Sequence, residues 1–377
     1  MTGSFVRSAA GAIVLLFSIS PAFAATDPAA VAGLLAAAVA ATGEATLTYK
    51  STAASGDAIT LTEVALTAGD GNSVTVPALV LSGVALRKPG GFTAAAMAAD
   101  GGSATARGNT VTWATAAFAD VVVPSADEIK ARAKVRPFRK LTLAGFSVTG
   151  TDFPAPVAID AITGEFGDIA AGAPANILVR ATGAHLPASL LSNSIVSAMV
   201  TMLHYDQFIA DITLDSEYDT TADTLTLHAL SVDAADVGKL TIAGKVSHFS
   251  LRGMADPKTS AAARAAARLD QLTLRIDNAG FVERMLDMQA QLLGGTRDDV
   301  RSQIVDGALP FALSFVSNET FRDQFLAAVS AFLKDPHSLT ITFSPTEPVP
   351  LGQAARTAAR SPGSLPDLLA LTVQANN

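Results

Sequence analysis

The sequence predicts an α+β fold, a large, curved, mostly antiparallel β-sheet with helices packed on one side. Three observations carry that expectation. From Thr46 onward, apolar or β-branched residues alternate with Thr and Ser at period 2, the pattern of half-buried strands. Stripes at helical spacing gather after residue 257. The 377 residues are 49% hydrophobic and only 16% charged, so apolar surface suffices for an extended core. Cysteine is absent, which excludes disulfides, thiolate metal sites and a cysteine nucleophile. A chain of this length buries enough surface to do without disulfides.

Residues 1–24 read as a secretory signal peptide. Arg7 precedes an apolar run from Ala9 to Ile19, and Pro21-Ala22-Phe23-Ala24 supplies a helix breaker and a small-x-small cleavage site. The run is short for a membrane span, which needs about 20 apolar residues. Cleavage is therefore favoured over retention as an anchor, and the expected location is the periplasm. No later segment is apolar for long enough to span a bilayer as a helix, so no transmembrane span is expected after cleavage.

A first helix is predicted over 28–41, with Val31, Leu34, Leu35, Ala38 and Val39 on one stripe and Pro28 at its start. Alternation marks strands around 46–49, 59–62 and 74–76, with Gly69-Asp70-Gly71-Asn72 as a hairpin turn. Further strands are expected at 79–87, 110–123, 138–150, 156–166, 175–182, 205–219, 223–235, 237–251 and 269–277. Lys140-Leu141-Thr142-Leu143-Ala144-Gly145 is nearly repeated as Lys239-Leu240-Thr241-Ile242-Ala243-Gly244, with a looser copy at Leu79–Gly83. In the first and third copies the apolar phase slips at the glycine, as a strand does where a bulge re-aims it. Helices are predicted over 187–203, 257–268, 279–293, 296–309 and 318–333, then a strand over 339–344, a Pro-rich crossing over 345–350 and a short helix near 363–370. The expected organisation is a signal peptide (1–24), a β-rich region (25–256) and a helix-rich region (257–377) completing the same fold.

Catalytic signatures are absent: no G-x-S-x-G, S-x-x-K, H-E-x-x-H, G-x-x-x-x-G-K or G-x-G-x-x-G occurs. The five histidines are scattered without metal-ligand spacing on one helix. Asp215, Glu217, Asp219 and Asp223 suggest a calcium loop but lack its sharp-turn Gly and its bidentate Glu, and read as a solvated strand face leading into a turn. No catalytic residue, cofactor or metal ligand is therefore nominated. The balance of 26 basic against 34 acidic residues argues against nucleic acid and anionic membrane surfaces as partners. On the late helices, Phe281, Met285, Met288, Phe321, Phe325 and Phe332 either seal the sheet's apolar face or line a groove beside it. These helices are too few to cover a long sheet, so a residual apolar groove is expected.

Glu217-Tyr218-Asp219 with Leu225-Thr226-Leu227 and Val237–Ile242, then Leu269–Gly280 leading into a Met-rich helix, then Ser338–Ile341 with Pro345 and Pro348-Val349-Pro350, resemble uncharacterised exported proteins of Gram-negative bacteria, loosely of the AsmA-like and YdgA-like envelope kind. The resemblance covers roughly 215–377. It implies a long twisted sheet with helices in a periplasmic protein of lipid handling or envelope maintenance. AsmA-like members are longer and keep an N-terminal anchor, which sets this chain apart. The expected function is non-enzymatic binding of a lipid or other apolar ligand. The alternative is a structural or interaction module that binds another envelope protein by a sheet edge.

Overall fold

The computed structural model describes residues 27–377 apart from 89, 171 and 192–199. The expected signal peptide lies outside them. The chain divides into two compact units: residues through Ile169 with Val179–Leu190, and Ala170–Leu178 with Leu191–Asn377. Each is built of mostly antiparallel strands with packed helices, the α+β class expected.

The first unit opens with α1 (Pro28–Ala41). The Asp27 carboxylate accepts the Ala29 N–H at 3.1 Å, and Pro28 sits at the first turn, where its missing N–H costs nothing. Val31, Ala32, Leu35, Ala38 and Val39 are buried as a stripe. β1 (Ala45–Thr48) and β2 (Ser51–Ser55) share one side of β3 (Ala58–Ala68). Across the expected hairpin, β4 (Ser73–Ser82) takes the other side, with the Ala68 N–H donating to the Asn72 carbonyl at 2.8 Å. β5 (Ala85–Leu86) is a short pairing to β6 (Phe92–Ala98), which lies beside β4 in line with β7 (Ser103–Ala106). The next position holds β8 (Asn109–Thr112) and β9 (Thr115–Val123) end to end, then β10 (Lys140–Gly150) and β11 (Val157–Phe166). Between β9 and β10 stands the single turn α2 (Ala126–Lys130), with Ser125 and Glu128 as a capping box.

The sequence reads 110–123 as one strand, but it breaks at Trp113–Ala114. There the indole N–H donates to the Ala99 carbonyl at 2.6 Å, and the ring fills the space a side chain at Gly102 would need. The phase slips fall at Gly83 and Gly145, glycines of unusual backbone conformation, but no bulge accompanies the one at Gly145, where β10 keeps a single register on β11, β9 and β8. Both glycines are left-handed, at φ +63° and +62°, a region that costs any other residue. Gly244, in the second copy, does not have a positive φ; a Cβ there would instead stand 2.7 Å from the Gln271 carbonyl oxygen.

β12 (Ile169–Ala170) and β13 (Ala173–Pro174) form a small ribbon where the second unit begins, and both β12 and β14 (Asn176–Pro187) straddle the division. A meander then runs β15 (Gln207–Asp219), β16 (Thr224–Ala234), β17 (Gly238–Ser247), α3 (Leu251–Ala255), α4 (Ser260–Ala266) and β18 (Arg268–Asn278). α5 (Phe281–Leu293) and α6 (Arg297–Ser302) follow, then a π-turn (Gln303–Ala308), α7 (Leu309–Leu313) and α8 (Glu319–Lys334). The helix expected over 296–309 is thus broken. Pro310 would clash with the Asp306 carbonyl in a regular helix, and one widened turn relieves it. β19 (Ser338–Phe343), β20 (Val349–Pro350), α9 (Leu351–Arg360), α10 (Leu365–Leu369) and β21 (Leu371–Ala375) complete the unit, with β19 and β20 in line beside β18 and β21 outside β19. Of the helix expected over 187–203, residues Ala188–Leu191 form a 3-10 turn and 192–199 lie outside the described residues.

Candidate apolar site

Directly opposed residues of an antiparallel ladder point to the same side of the sheet. The register of the second unit therefore lines up apolar residues in rows. One row runs Ile212, Val232, Leu240, Ile276, Leu339 and Ala375. The next runs Leu214, Leu230, Ile242, Leu274, Ile341 and Val373. The alternate positions present Asp233, Lys239, Thr241, Arg275 and Thr340 to the other side. Two bulges keep the rows in phase. On β16 the extra residue falls between Leu227 and Leu230, and on β18 it falls at Asp270, so that Leu269 rather than Asp270 opposes Val246. Without them the apolar residues of each strand would change sides halfway along.

Cover is unequal along these rows. At β19 and β21, α8 lies over the sheet: Phe321, Ala328 and Val373 form a buried cluster with Phe325, Leu339, Ile341 and Leu371 around it. α9 and α10 bring Leu351, Leu365, Leu368 and Leu369 onto Leu269, Leu272, Phe343 and Leu371. On β16, β17 and β18 the same face is open. Leu230, Val232, Leu240 and Ile276 are 37%, 38%, 43% and 44% exposed, whereas Val373 in the same pair of rows is 2% exposed. Ile212, Leu214, Ile242 and Leu274 are half-buried among them.

The aromatic and Met residues nominated from sequence lie mainly on the covering side. Phe321 and Phe332 are buried, and Phe325 is half-buried beside Phe321, their rings 5.7 Å apart. Phe332 packs with Val282, Leu286, Ala290, Val300 and Leu333, and Phe281 borders that cluster. Met285 and Met288 are half-buried on α5, whose buried stripe is Val282, Leu286 and Ala290, one position from the stripe read in the sequence. The open residues are instead strand residues of β16, β17 and β18. Their signal was present in the alternation at 225–232 and 240–242, but alternation does not say which part of a face is covered.

The end of the sheet beside this face is tied to α5. The Tyr205 hydroxyl donates to the Asp236 carbonyl, in the β16–β17 turn, at 2.9 Å, and the Arg284 guanidinium lies 4.8 Å over the Tyr205 ring. Burial pushes the Tyr205 phenol above its usual pKa, with Arg284 opposing. The Ala279 N–H donates to the Val237 carbonyl at 3.1 Å, anchoring the start of α5 at the same turn.

The carboxylates read as a solvated strand face act locally. Asp219 accepts the Thr221 and Ala222 N–H groups at 2.7 and 3.1 Å and shapes the β15–β16 turn. Asp223 accepts the Tyr218 hydroxyl at 2.7 Å, and burial followed by this bond raises the Tyr218 pKa. His228 stands 3.4 Å from Glu217, and His337 3.1 Å from Asp335, all with exposed side chains. Among the described residues no cluster of His, Asp and Glu is arranged to hold a metal. No helix of the described residues is long and apolar enough to cross a membrane.

A family model described only as an uncharacterised protein matches residues 231–376, the stretch from the end of β16 through β21. No curated protein matches the chain. The matched stretch holds β17 and β18 of the open face and all of the helices that cover the rest.

Proposed function

We propose that this is a non-enzymatic, exported protein that binds a lipid or another apolar ligand on the open face of β16, β17 and β18. The observation that carries the reading is the half-exposure of Leu230, Val232, Leu240 and Ile276, contiguous on one side of the sheet. Isolated exposed apolar residues are ordinary, but an apolar patch of several strands is not, and it favours an apolar occupant. The leader-like residues 1–24 and the resemblance to AsmA-like and YdgA-like proteins support placing that activity in the periplasm, in envelope maintenance or lipid handling. The test is mass spectrometry of organic extracts from the chain purified from its native host, paired with titration of a fluorescent fatty-acid probe. Co-purified lipid and saturable probe binding are expected. Weakening by Leu240→Ser and Ile276→Ser would place the ligand on this face. An empty extract and no probe binding would overturn the reading.

A second reading has its own observation. β21 pairs with β19 on one side only among the described residues, and Leu371-Thr-Val-Gln-Ala carries no charge or proline to discourage another strand. This favours a partner added at the sheet edge. Thr372→Lys and Gln374→Lys, at the exposed positions of this strand, would weaken capture of such a partner while leaving the apolar probe bound.

A further inference from the structure

The chain is acidic overall, yet Lys130–Lys140 holds six basic side chains and no acidic one. Three of the six are engaged in the first unit. Arg136 pairs with Asp168, Arg139 lies 3.7 Å from Asp120 and 3.6 Å from Asp168, and Lys140 bonds Glu165 at 2.7 Å. Lys130, Arg132 and Lys134 are exposed, as is Lys88, and none of these four makes an ion pair among the described residues.

Lys88 belongs to the same patch because its loop is clamped to α2. Arg87 forks onto Glu128 at 2.9 and 3.0 Å, and Gly90 approaches so closely that a Cβ there would stand 3.1 Å from the Ser125 Cβ. That fork also neutralises Glu128, leaving Asp127 as the exposed carboxylate of α2. The turn after α2 is fixed as well. The Ala133 N–H donates to the Glu128 carbonyl and the Arg132 N–H to the Ile129 carbonyl, both at 2.9 Å, with Arg132 left-handed at φ +53°. Beside Arg87, Leu86 is 53% exposed.

We propose that this patch docks the protein onto an anionic phospholipid surface. Unpaired, exposed cations, with an exposed leucine next to the clamped Arg87, match a bilayer interface, where phosphates meet the basic groups and an apolar side chain enters between headgroups. The loop and α2 carry no aromatic ring on which a base would stack, so a single-stranded nucleic acid is the poorer fit. Net charge hides such a patch because salt screens charges beyond about 10 Å, so a nearby surface feels the local cations and not the chain total.

The test is co-sedimentation of the full chain with vesicles of phosphatidylcholine alone and with phosphatidylglycerol added. Retention by the anionic vesicles is expected, weakening as salt rises. Each of Lys88→Gln, Lys130→Gln, Arg132→Gln and Lys134→Gln should lower partitioning about five-fold at low salt. Leu86→Ser should weaken retention without changing its salt dependence, and melting curves would confirm that each single variant is folded. The proposal is overturned if the parent ignores the anionic vesicles, if neutral vesicles retain it equally, or if the four variants bind like the parent. It is also overturned if single-stranded DNA, and not vesicles, is retained.

Discussion

The two units use the same strand grammar and finish it differently. In the first, α1 covers the sheet, and Leu35, Leu61, Leu81, Phe92, Val121 and Val123 are sealed from solvent in one core. In the second, α8, α9 and α10 seal β19 and β21 while the same apolar rows run on, uncovered, across β18, β17 and β16. Strands alone make an apolar face; whether that face becomes a core or stays open to water depends on how far the helices reach. An antiparallel sheet ordinarily keeps one face packed and one solvated. Here part of the face that should be packed is wet, and the proposal of an apolar ligand rests on this departure.

The comparison can be broken most forcefully at the sealed positions. Phe92→Ala in the first unit and Phe321→Ala on α8 should each cost about 3–5 kcal/mol, read as a large fall in denaturation midpoint. If Phe321→Ala proved mild yet abolished binding of an apolar probe, α8 would be lining a cavity and the division into sealed and open halves would be wrong.

A smaller effect is expected where the backbone bends. Gly145→Val should cost about 1–3 kcal/mol, because φ +62° strains a β-branched residue and a Cβ would stand 2.8 Å from the Ala114 Cβ. A thermal midpoint equal to that of the parent would remove the left-handed glycine as the cause of the phase slip.

At the open face, Leu240→Ser should change stability by less than about 1 kcal/mol, since the side chain is already nearly half in water. Probe binding should fall in the same variant. Equal and large losses of stability at Leu240 and Leu81 would mean that the face is covered in solution, and the contrast would collapse.

The smallest effect concerns pH in the first unit. Burial works to raise the Glu128 pKa, but the Arg87 fork and the Ser125 N–H outweigh it and hold the carboxyl below the usual glutamate value. A depressed folded pKa contributes stability that is complete above the unfolded value and lost as pH falls through the folded one. The stability gap between the parent and Arg87→Met should therefore be constant near neutrality and shrink in acid below the usual glutamate pKa. A gap independent of pH in urea titrations would refute the role of the pair.

Local features whose causes lie within a few residues are legible in the chain without its fold. Pro28 starts α1, Gly69–Asn72 turns β3 into β4, and the slips at Gly83 and Gly145 announce left-handed glycines. The sequence is silent where distant chain decides. Trp113 splits an otherwise continuous strand because it packs on Gly102 and bonds Ala99, and no helix was expected over 351–360, where only Leu351 and Ala354 pack on the neighbouring cluster and leave no apolar stripe to read. Met285 and Met288 share the apolar spacing of α5, yet the buried stripe falls on Val282, Leu286 and Ala290, because the partner surface selects the face. Alternation placed Leu230, Val232, Leu240 and Ile276 on one side of a sheet, but only tertiary structure left them open to water, because burial depends on whether a helix from elsewhere in the chain lies over them, and no period within a strand encodes that.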